Sequence, residues 1–357
     1  MKVTAARLVR HALENIGVQF TFGIPGVHNI ELYDELQTSE SILPVLVTHE
    51  VGAAFMADAV SRVGDSIGVL AIVPAAGITH AMSGVGEAYL DGVPMLVISG
   101  GIRTDMKQKF QLHDVDQQAL MKPLTKATYR VERYEDAIPT IYQAYRMATE
   151  GEPGPVFVEL PANLQLLTGE VDDMPAYSPG ANRTVINPEQ VSKAAELLSS
   201  AKQPGIFVGW GARHVAEDIA RIAEHLAAPV STTLQGLASF PANHPLHTGM
   251  SFGRSAVAAA ENAFRDCDAM LAVGTRFAEI CTGSYGSVPP ENLVHIDINP
   301  ETLNVNYPAK VGIAADSRDA VPALANAICD IGDPRDSSAT CLQISNDKAV
   351  YRKEWRD

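Results

Sequence analysis

Apolar residues recur along this chain at two spacings. From Thr4 to Asn15, Ala5, Leu8, Val9, Ala12 and Leu13 fall on one helical stripe, and the short apolar run Val18 to Phe22 follows, predicting a helix and then a strand. The turn Gly23-Ile24-Pro25-Gly26 leads into another helix. Val45 to Val47, just after Pro44, predicts a second short strand, and Glu50 to Arg62 the helix that follows it. The alternation continues with a strand at Gly68 to Val73, a helix at Thr79 to Leu90 and strands at Pro94 to Ser99 and Pro155 to Leu160. Short apolar runs joined through helices rather than hairpins predict a parallel sheet covered on both faces.

Between Gly169 and Pro188 the periodicity stops and Gly, Pro, Asp and Ser accumulate, which marks a domain boundary. A second series then begins: helix at Pro188 to Ser199, strand at Gly205 to Gly209, helix at Val215 to Leu226, and strands at Pro229 to Thr232, Ala269 to Val273 and Leu293 to Ile298. The expected fold class is therefore α/β, with two doubly wound domains, each a mainly parallel sheet between helices. The boundaries expected are 1–168 for the first domain, 169–187 for the linker and 188–330 for the second domain. Residues 331–357 are expected to start a linker to a further domain, AVYRKEWRD reading as the entry of another helix.

Composition narrows the functions. With 46% apolar and 19% charged residues in 357, each domain can bury a core without metals or disulfides. A net charge of −15 without a basic cluster argues against nucleic acid as a partner. No apolar run approaches the length of a membrane span, and Met1 to Val18 reads as an amphipathic helix rather than an export signal, so a cytoplasmic location is expected. The four cysteines, at 267, 281, 329 and 341, have no metal-ligand spacing.

Candidate chemistry belongs in the loops at the carboxyl ends of the strands. After Phe22 comes GIPGVHN, after Val47 THEVGAAFMADAVSR, after Val73 PAAGITHAMSGVGEAYLDGVP, and after Ser99 GGIRTDMKQKFQLHDVDQQ. Two familiar motifs fail on inspection. His49-Glu50 opens like the zinc-protease H-E-x-x-H, but Ala53 stands where the second histidine is needed. Gly249 to Gly253 fits the G-x-S-x-G hydrolase elbow, but the preceding FPANHPLHT does not read as the strand that an elbow requires.

The second cluster resembles the HE-x-GAA-x-x-A-D-x-x-x-R signature of the pyrimidine-binding domain in thiamine-diphosphate (ThDP) enzymes of the acetolactate-synthase and pyruvate-oxidase type. It is matched by His49, Glu50, Gly52, Ala53, Ala54, Ala57, Asp58 and Arg62. Ala88, Tyr89, Asp91 and Pro94, then Phe110-Gln111, then Pro123, Thr125 and Lys126 follow in the family's order, and GTRF and HIDINPE in the second half are similar to its central domain. The resemblance implies that Glu50 hydrogen-bonds the cofactor's aminopyrimidine and favours the imino tautomer, whose nitrogen removes the thiazolium C2 proton for attack on a 2-oxo acid. A carboxyl withdrawn from water suits that exchange, and Val51, Ala53, Ala54 and Phe55 are apolar neighbours. Without the resemblance, Glu50 reads equally as a first-turn acid favoured by the helix dipole.

By the same resemblance Gly23, Pro25, Gly26, Val73, Ala76, Gly77 and His80 contact the cofactor, and Gln111, His28 and His80 join Glu50 as catalytic candidates. The bland readings are a plain turn for Gly23 to Gly26, a surface histidine for His28 and an exposed loop amide for Gln111. His113 and Lys126 are further candidates. This sequence reads Ala75-Ala76-Gly77-Ile78-Thr79-His80 where acetolactate synthases read G-P-G-A-T-N, so an imidazole that can exchange a proton replaces an amide.

Gly209-Trp210-Gly211 is a glycine turn of the kind that approaches phosphate, but the second domain keeps too little of the family's flavin segments for FAD to be favoured. The family's third domain holds Mg2+ and the diphosphate through a G-D-G motif and a later asparagine pair, which nothing here matches. Gly64-Asp65-Ser66 and Gly332-Asp333-Pro334 are the nearest approaches, and no metal ligand is assigned. The expectation is an N-terminal fragment, inactive alone, of an enzyme that pairs as a homodimer or homotetramer through its first domain. The alternative is a non-catalytic scaffold needing a partner chain.

Overall fold

The computed structural model describes residues 1–180 and 185–354 and divides into two compact units, Met1–Gly180 and Ala181–Asp357. The first unit runs β1 (Lys2–Thr4), α1 (Ala5–Asn15), β2 (Phe20–Gly23), α2 (Ile30–Leu36), β3 (Leu43–Leu46), α3 (Glu50–Val63), β4 (Gly68–Ile72), α4 (Ala76–Asp91) and β5 (Met95–Gly101). It continues with α5 (Gln117–Met121), β6 (Ala127–Arg130), α6 (Ala137–Thr149), β7 (Pro155–Pro161), α7 (Ala162–Leu166) and β8 (Thr168–Glu170). Six strands form one parallel sheet in the order β3-β2-β4-β5-β7-β6, and β1 pairs antiparallel with β8 apart from it.

The period of two along each strand explains the unbroken apolar runs. Val69 and Ala71 of β4 enter the core beneath α1, α2 and α6, while Leu70 and Ile72 enter the core beneath α3 and α4. β6, which no apolar run predicted, is an edge strand whose residues are half-buried or exposed. α6 buries Ala137, Ile138, Ile141, Tyr142, Ala144 and Ala148 at helical spacing, a stripe that sequence reading passed over.

Strand order reverses at β2. The chain leaves β2 toward β3 on one side, then crosses back through α3 to β4 on the other, so the loops after β2 and β4 diverge and leave a crevice at the carboxyl end of the sheet.

The second unit contains α8 (Pro188–Ser200), β9 (Pro204–Val208), α9 (Ala216–Leu226), β10 (Val230–Thr232), β11 (His247–Met250) and α10 (Ala258–Phe264). After these come β12 (Ala269–Val273), β13 (Asn292–Asp297), β14 (Val311–Ala314), α11 (Ser317–Cys329) and α12 (Ser338–Glu354). Its parallel sheet has the order β11-β10-β9-β12-β13-β14 and reverses between β9 and β12. At that reversal Gly209 and Gly211 lie against Gly274: a Cβ on Gly211 would be 2.7 Å from Gly274 Cα, and one on Gly209 would overlap the Gly274 carbonyl. Close packing of two turns is reason enough for these glycines.

Two expectations change here. The hydrolase elbow was set aside for want of a strand, yet β11 runs into it and Ser251 has φ 64°. What removes the nucleophile reading is burial, since Ser251 is 1% exposed and out of a substrate's reach. The polar stretch after Asp330 forms α12, which packs on α10 and is pinned by Asn262 Nδ2 donating to Asp347 Oδ2 at 3.1 Å. The expected linker includes 181–184 and the expected helix entry runs to 357; residues 181–184 and 355–357 lie outside the described residues. Among the described residues no helix is long and apolar enough to cross a membrane.

Candidate active site

Glu50 is the first residue of α3, and His49 caps that helix, its Nδ1 accepting the Val51 N–H at 3.2 Å. An ordinary first-turn acid stands in water, whereas Glu50 is 7% exposed. Its Oε2 lies 3.2 Å from Nδ1 of His80, which comes from the second turn of α4. The two helices approach closely because Gly84 lacks a side chain: a Cβ there would sit 2.6 Å from Ala54 Cβ. Glu50 Oε1 faces Gly77, where an added Cβ would lie 3.6 Å from that oxygen and 3.0 Å from Val73 Cγ2. Ala53 and Ala54 are buried as expected, but Phe55 is 44% exposed, because successive helix positions turn by about 100° and carry it to the outer side.

The loop after β2 forms the neighbouring wall. A Cβ on Gly23 would overlap the Ala71 carbonyl, which already accepts the Tyr33 hydroxyl at 2.8 Å. Burial, followed by the charge of Glu50, pushes the Tyr33 phenol well above its usual range. Asn29, fully buried, accepts the Gly26 N–H at 2.7 Å and donates to the carbonyls of Ile24 and Ala71, fixing the turn. Gly26 in turn faces Val73, whose Cγ1 would be 2.7 Å from an added Cβ. Pro25 and Ala76 are exposed at the rim. Ala75, just before α4, has φ 56° and ψ −99°, a conformation costing a non-glycine residue about 1–3 kcal/mol.

His28 is not a surface histidine. It is buried at 6% exposure, its backbone carbonyl accepts from Gln165 Nε2 at 2.7 Å, and a Cβ on Gly100 would overlap that carbonyl. Its ring lies 5.2 Å from that of His113, and Nδ1 of each is buried without a hydrogen-bond partner. Burial first, and then His113, lower the His28 pKa and favour the neutral ring, while a backbone hydrogen bond to Leu112 acts the other way. Gln111 is half-buried, and its Nε2 donates to the Arg103 carbonyl at 3.0 Å, so its amide is engaged inside its own loop.

Other signature residues are structural. Arg62 Nε and Nη2 bind Asp58 at 2.7 and 3.1 Å, and Nη2 reaches Asp91 of α4 at 2.8 Å. Lys126 Nζ donates to the Glu150 carbonyl at 2.8 Å, at the end of α6. Sequence reading missed Tyr33 and Asn29, which hold the β2 loop, and the proximity of His49 to His80, whose ring centroids are 4.7 Å apart. Only the Val-His-Asn spelling after Gly26 hinted at Asn29; nothing local marked Tyr33.

Comparison with known proteins identifies the family. The family described as "Thiamine pyrophosphate enzyme, N-terminal TPP binding domain" matches residues 3–120, and "Thiamine pyrophosphate enzyme, central domain" matches residues 191–324. The chain is 34% identical over 326 residues to the probable acetolactate synthase large subunit of Methanocaldococcus jannaschii, covering 88% of this chain and 54% of the relative. It is 30% identical over 333 residues to the acetolactate synthase large subunit of Corynebacterium glutamicum (90% and 52%) and 31% over 326 to isozyme 3 of Escherichia coli K12 (88% and 56%). It thus spans about half the length of the curated relatives it matches. With a buried carboxylate at the sheet's reversal point and both domain matches in chain order, the chain belongs to the thiamine pyrophosphate enzymes.

Proposed function

We propose that this chain supplies the aminopyrimidine side of a ThDP site in an enzyme that decarboxylates or joins 2-oxo acids in the manner of an acetolactate synthase. The observation that carries the reading is Glu50: a carboxylate withdrawn from water at a crevice, with one oxygen on His80 and the other facing the bare Cα of Gly77. That donor set fits a heteroaromatic base. A buried carboxyl can share a proton with a ring nitrogen, and the missing Cβ atoms at Gly26 and Gly77 leave room beside it.

ThDP, when bound, supplies the carbon nucleophile and the electron sink for a 2-oxo acid. The chain's own part is proton handling and positioning. Glu50 holds or gives a proton at its carboxylate, and His80 fixes the orientation of that carboxylate. Val73, Ala76 and Gly77 support one side of the ring, and the turn Gly23, Pro25, Gly26, locked by Asn29, supports the other. His28, held neutral, and Gln111 are assigned to the substrate side, Gln111 serving the site of a second copy. The diphosphate and its Mg2+ fall to residues beyond this chain, FAD is not required, and the assembly is a cytoplasmic homodimer or homotetramer.

The test is Glu50→Gln in the enzyme completed with its diphosphate-binding part. An amide cannot exchange a proton with the pyrimidine nitrogen, so C2-proton exchange of bound ThDP, read by NMR, should slow by orders of magnitude while the fold persists. Exchange at the native rate would remove Glu50 from this role.

A further inference from the structure

The sequence dismissed His49-Glu50 as a metal motif because no histidine follows four residues later; the fold supplies one from another helix. A ring nitrogen of His49, a carboxylate oxygen of Glu50 and a ring nitrogen of His80 all lie within 4.8 Å of one another. We propose that these three residues form a binding site for a divalent transition metal of the zinc class, and that an ion held there closes the pyrimidine side of the crevice to the cofactor.

Donor chemistry selects the ion. Two imidazoles and one carboxylate suit Zn2+, Co2+, Ni2+ or Cu2+, whereas Mg2+ prefers oxygen ligands throughout, so this is a different site from the one that serves a diphosphate. The 3.2 Å between His80 Nδ1 and Glu50 Oε2 is close to the edge of about 3.3–3.4 Å between two ligands that each stand about 2.0–2.1 Å from one tetrahedral ion. The ion takes the place of the proton these atoms share, and His80 binds as the tautomer protonated on Nε2. His49, exposed and with its ring tilted 33° to that of His80, completes the set by a side-chain rotation. Three protein ligands leave a position for water, and the exposure of both histidines leaves a way in.

The inference shares Glu50 with the cofactor reading and makes the two ligands exclusive, because a carboxylate bound to an ion cannot exchange a proton with a pyrimidine. The metal site stands without that reading, whereas its closing of the crevice to the cofactor rests on it. The test is titration of this chain with Co2+ near neutral pH, following visible d–d absorption, alongside His80→Asn, His49→Asn and Glu50→Gln. Asparagine in place of His49 preserves a helix cap, and circular dichroism checks that each variant is folded. Saturation at one ion per chain is expected, with affinity falling at least about tenfold in each variant, the lower end of what outer-shell losses cost at metal sites.

No visible band, a band unchanged in both histidine variants, or a thiolate-to-cobalt transition that places the ion on cysteine would overturn the site. Pulsed electron paramagnetic resonance of Cu2+ on the native chain needs no variant: two imidazole ligands are expected, and none or one refutes the proposal. Failure of either metal experiment leaves the C2-exchange result for Glu50→Gln untouched, so the two readings fail separately.

Discussion

Replacing Arg62 by methionine should destabilise the first unit. Arg62 is held on α3 by two hydrogen bonds to Asp58 and crosses to α4 by one to Asp91, and the side chains of Arg62, Asp58 and Asp91 are 24%, 10% and 19% exposed. Removing the cation leaves two carboxylates facing each other in a poorly hydrated seam. A fully buried pair broken in this way costs about 3–5 kcal/mol, and partial access of water reduces that to about 2–3 kcal/mol here. For a unit of this size 1 kcal/mol shifts the melting midpoint by about 2–4 °C, so differential scanning calorimetry should find its transition about 4–12 °C lower. Asp58→Asn made on top of Arg62→Met should then cost much less than Asp58→Asn alone, since the interaction is already gone. A shift under about 1 °C, or strictly additive losses, would refute the assignment of Asp58 and Arg62 to helix docking.

The second unit should weaken in mild acid. Burial, then Lys348 and His244, hold the His247 pKa down to about 4, so an unfolded chain takes up a proton at 6.5 that the folded one refuses; stability therefore falls as pH drops from about 6.5 to about 4, by up to about 3 kcal/mol. Urea midpoints of the native chain and His247→Asn across that window check it, and parallel curves would contradict it. Gly84→Ala should destabilise the first unit by about 1–3 kcal/mol despite alanine's better helix propensity, because its Cβ meets Ala54 Cβ at 2.6 Å; an unchanged midpoint in thermal melts would show that the helices separate freely. Sedimentation at micromolar concentration should show a dimer of this chain, and a monomer alone would count against association through the first unit.

Much of the architecture was legible because both sheets are parallel and covered on both faces. The runs Gly68 to Val73 and Ala269 to Val273 could only be buried strands, and β4 and β12 occupy nearly those residues. Among the elements missed, β6 and β14 at sheet edges and β11 with a Gly-Met end carry little periodic signal, whereas the clear stripe of α6 was passed over. α4 begins three residues before the expected Thr79, since Ala75 and Ala76 resemble neither a strand nor a cap. Glu50 was legible through its signature, and its burial through the apolar residues beside it. The burial of His28 was not, because Gly100 and Gln165, which enclose it, are remote in sequence.

The signature mixes two kinds of residue, and the structure separates them along one pair of helices. α3 begins with Glu50 and carries Asp58 and Arg62 further along; α4 carries Gly77 and His80 near its start, Gly84 in the middle and Asp91 at its end. From Glu50 to Arg62 is twelve residues, about 18 Å of helix, so the ion pair and the carboxylate do not interact directly. They share one pair of helices. The ion pair fastens the far ends, Gly84 packs against Ala54 between them, and Glu50 meets His80 near their beginnings. A motif match recovers all these residues alike, although one carboxylate and one imidazole meet at 3.2 Å and the rest pack the two helices together. Only the packing distinguishes those that face the crevice from those that hold it in shape.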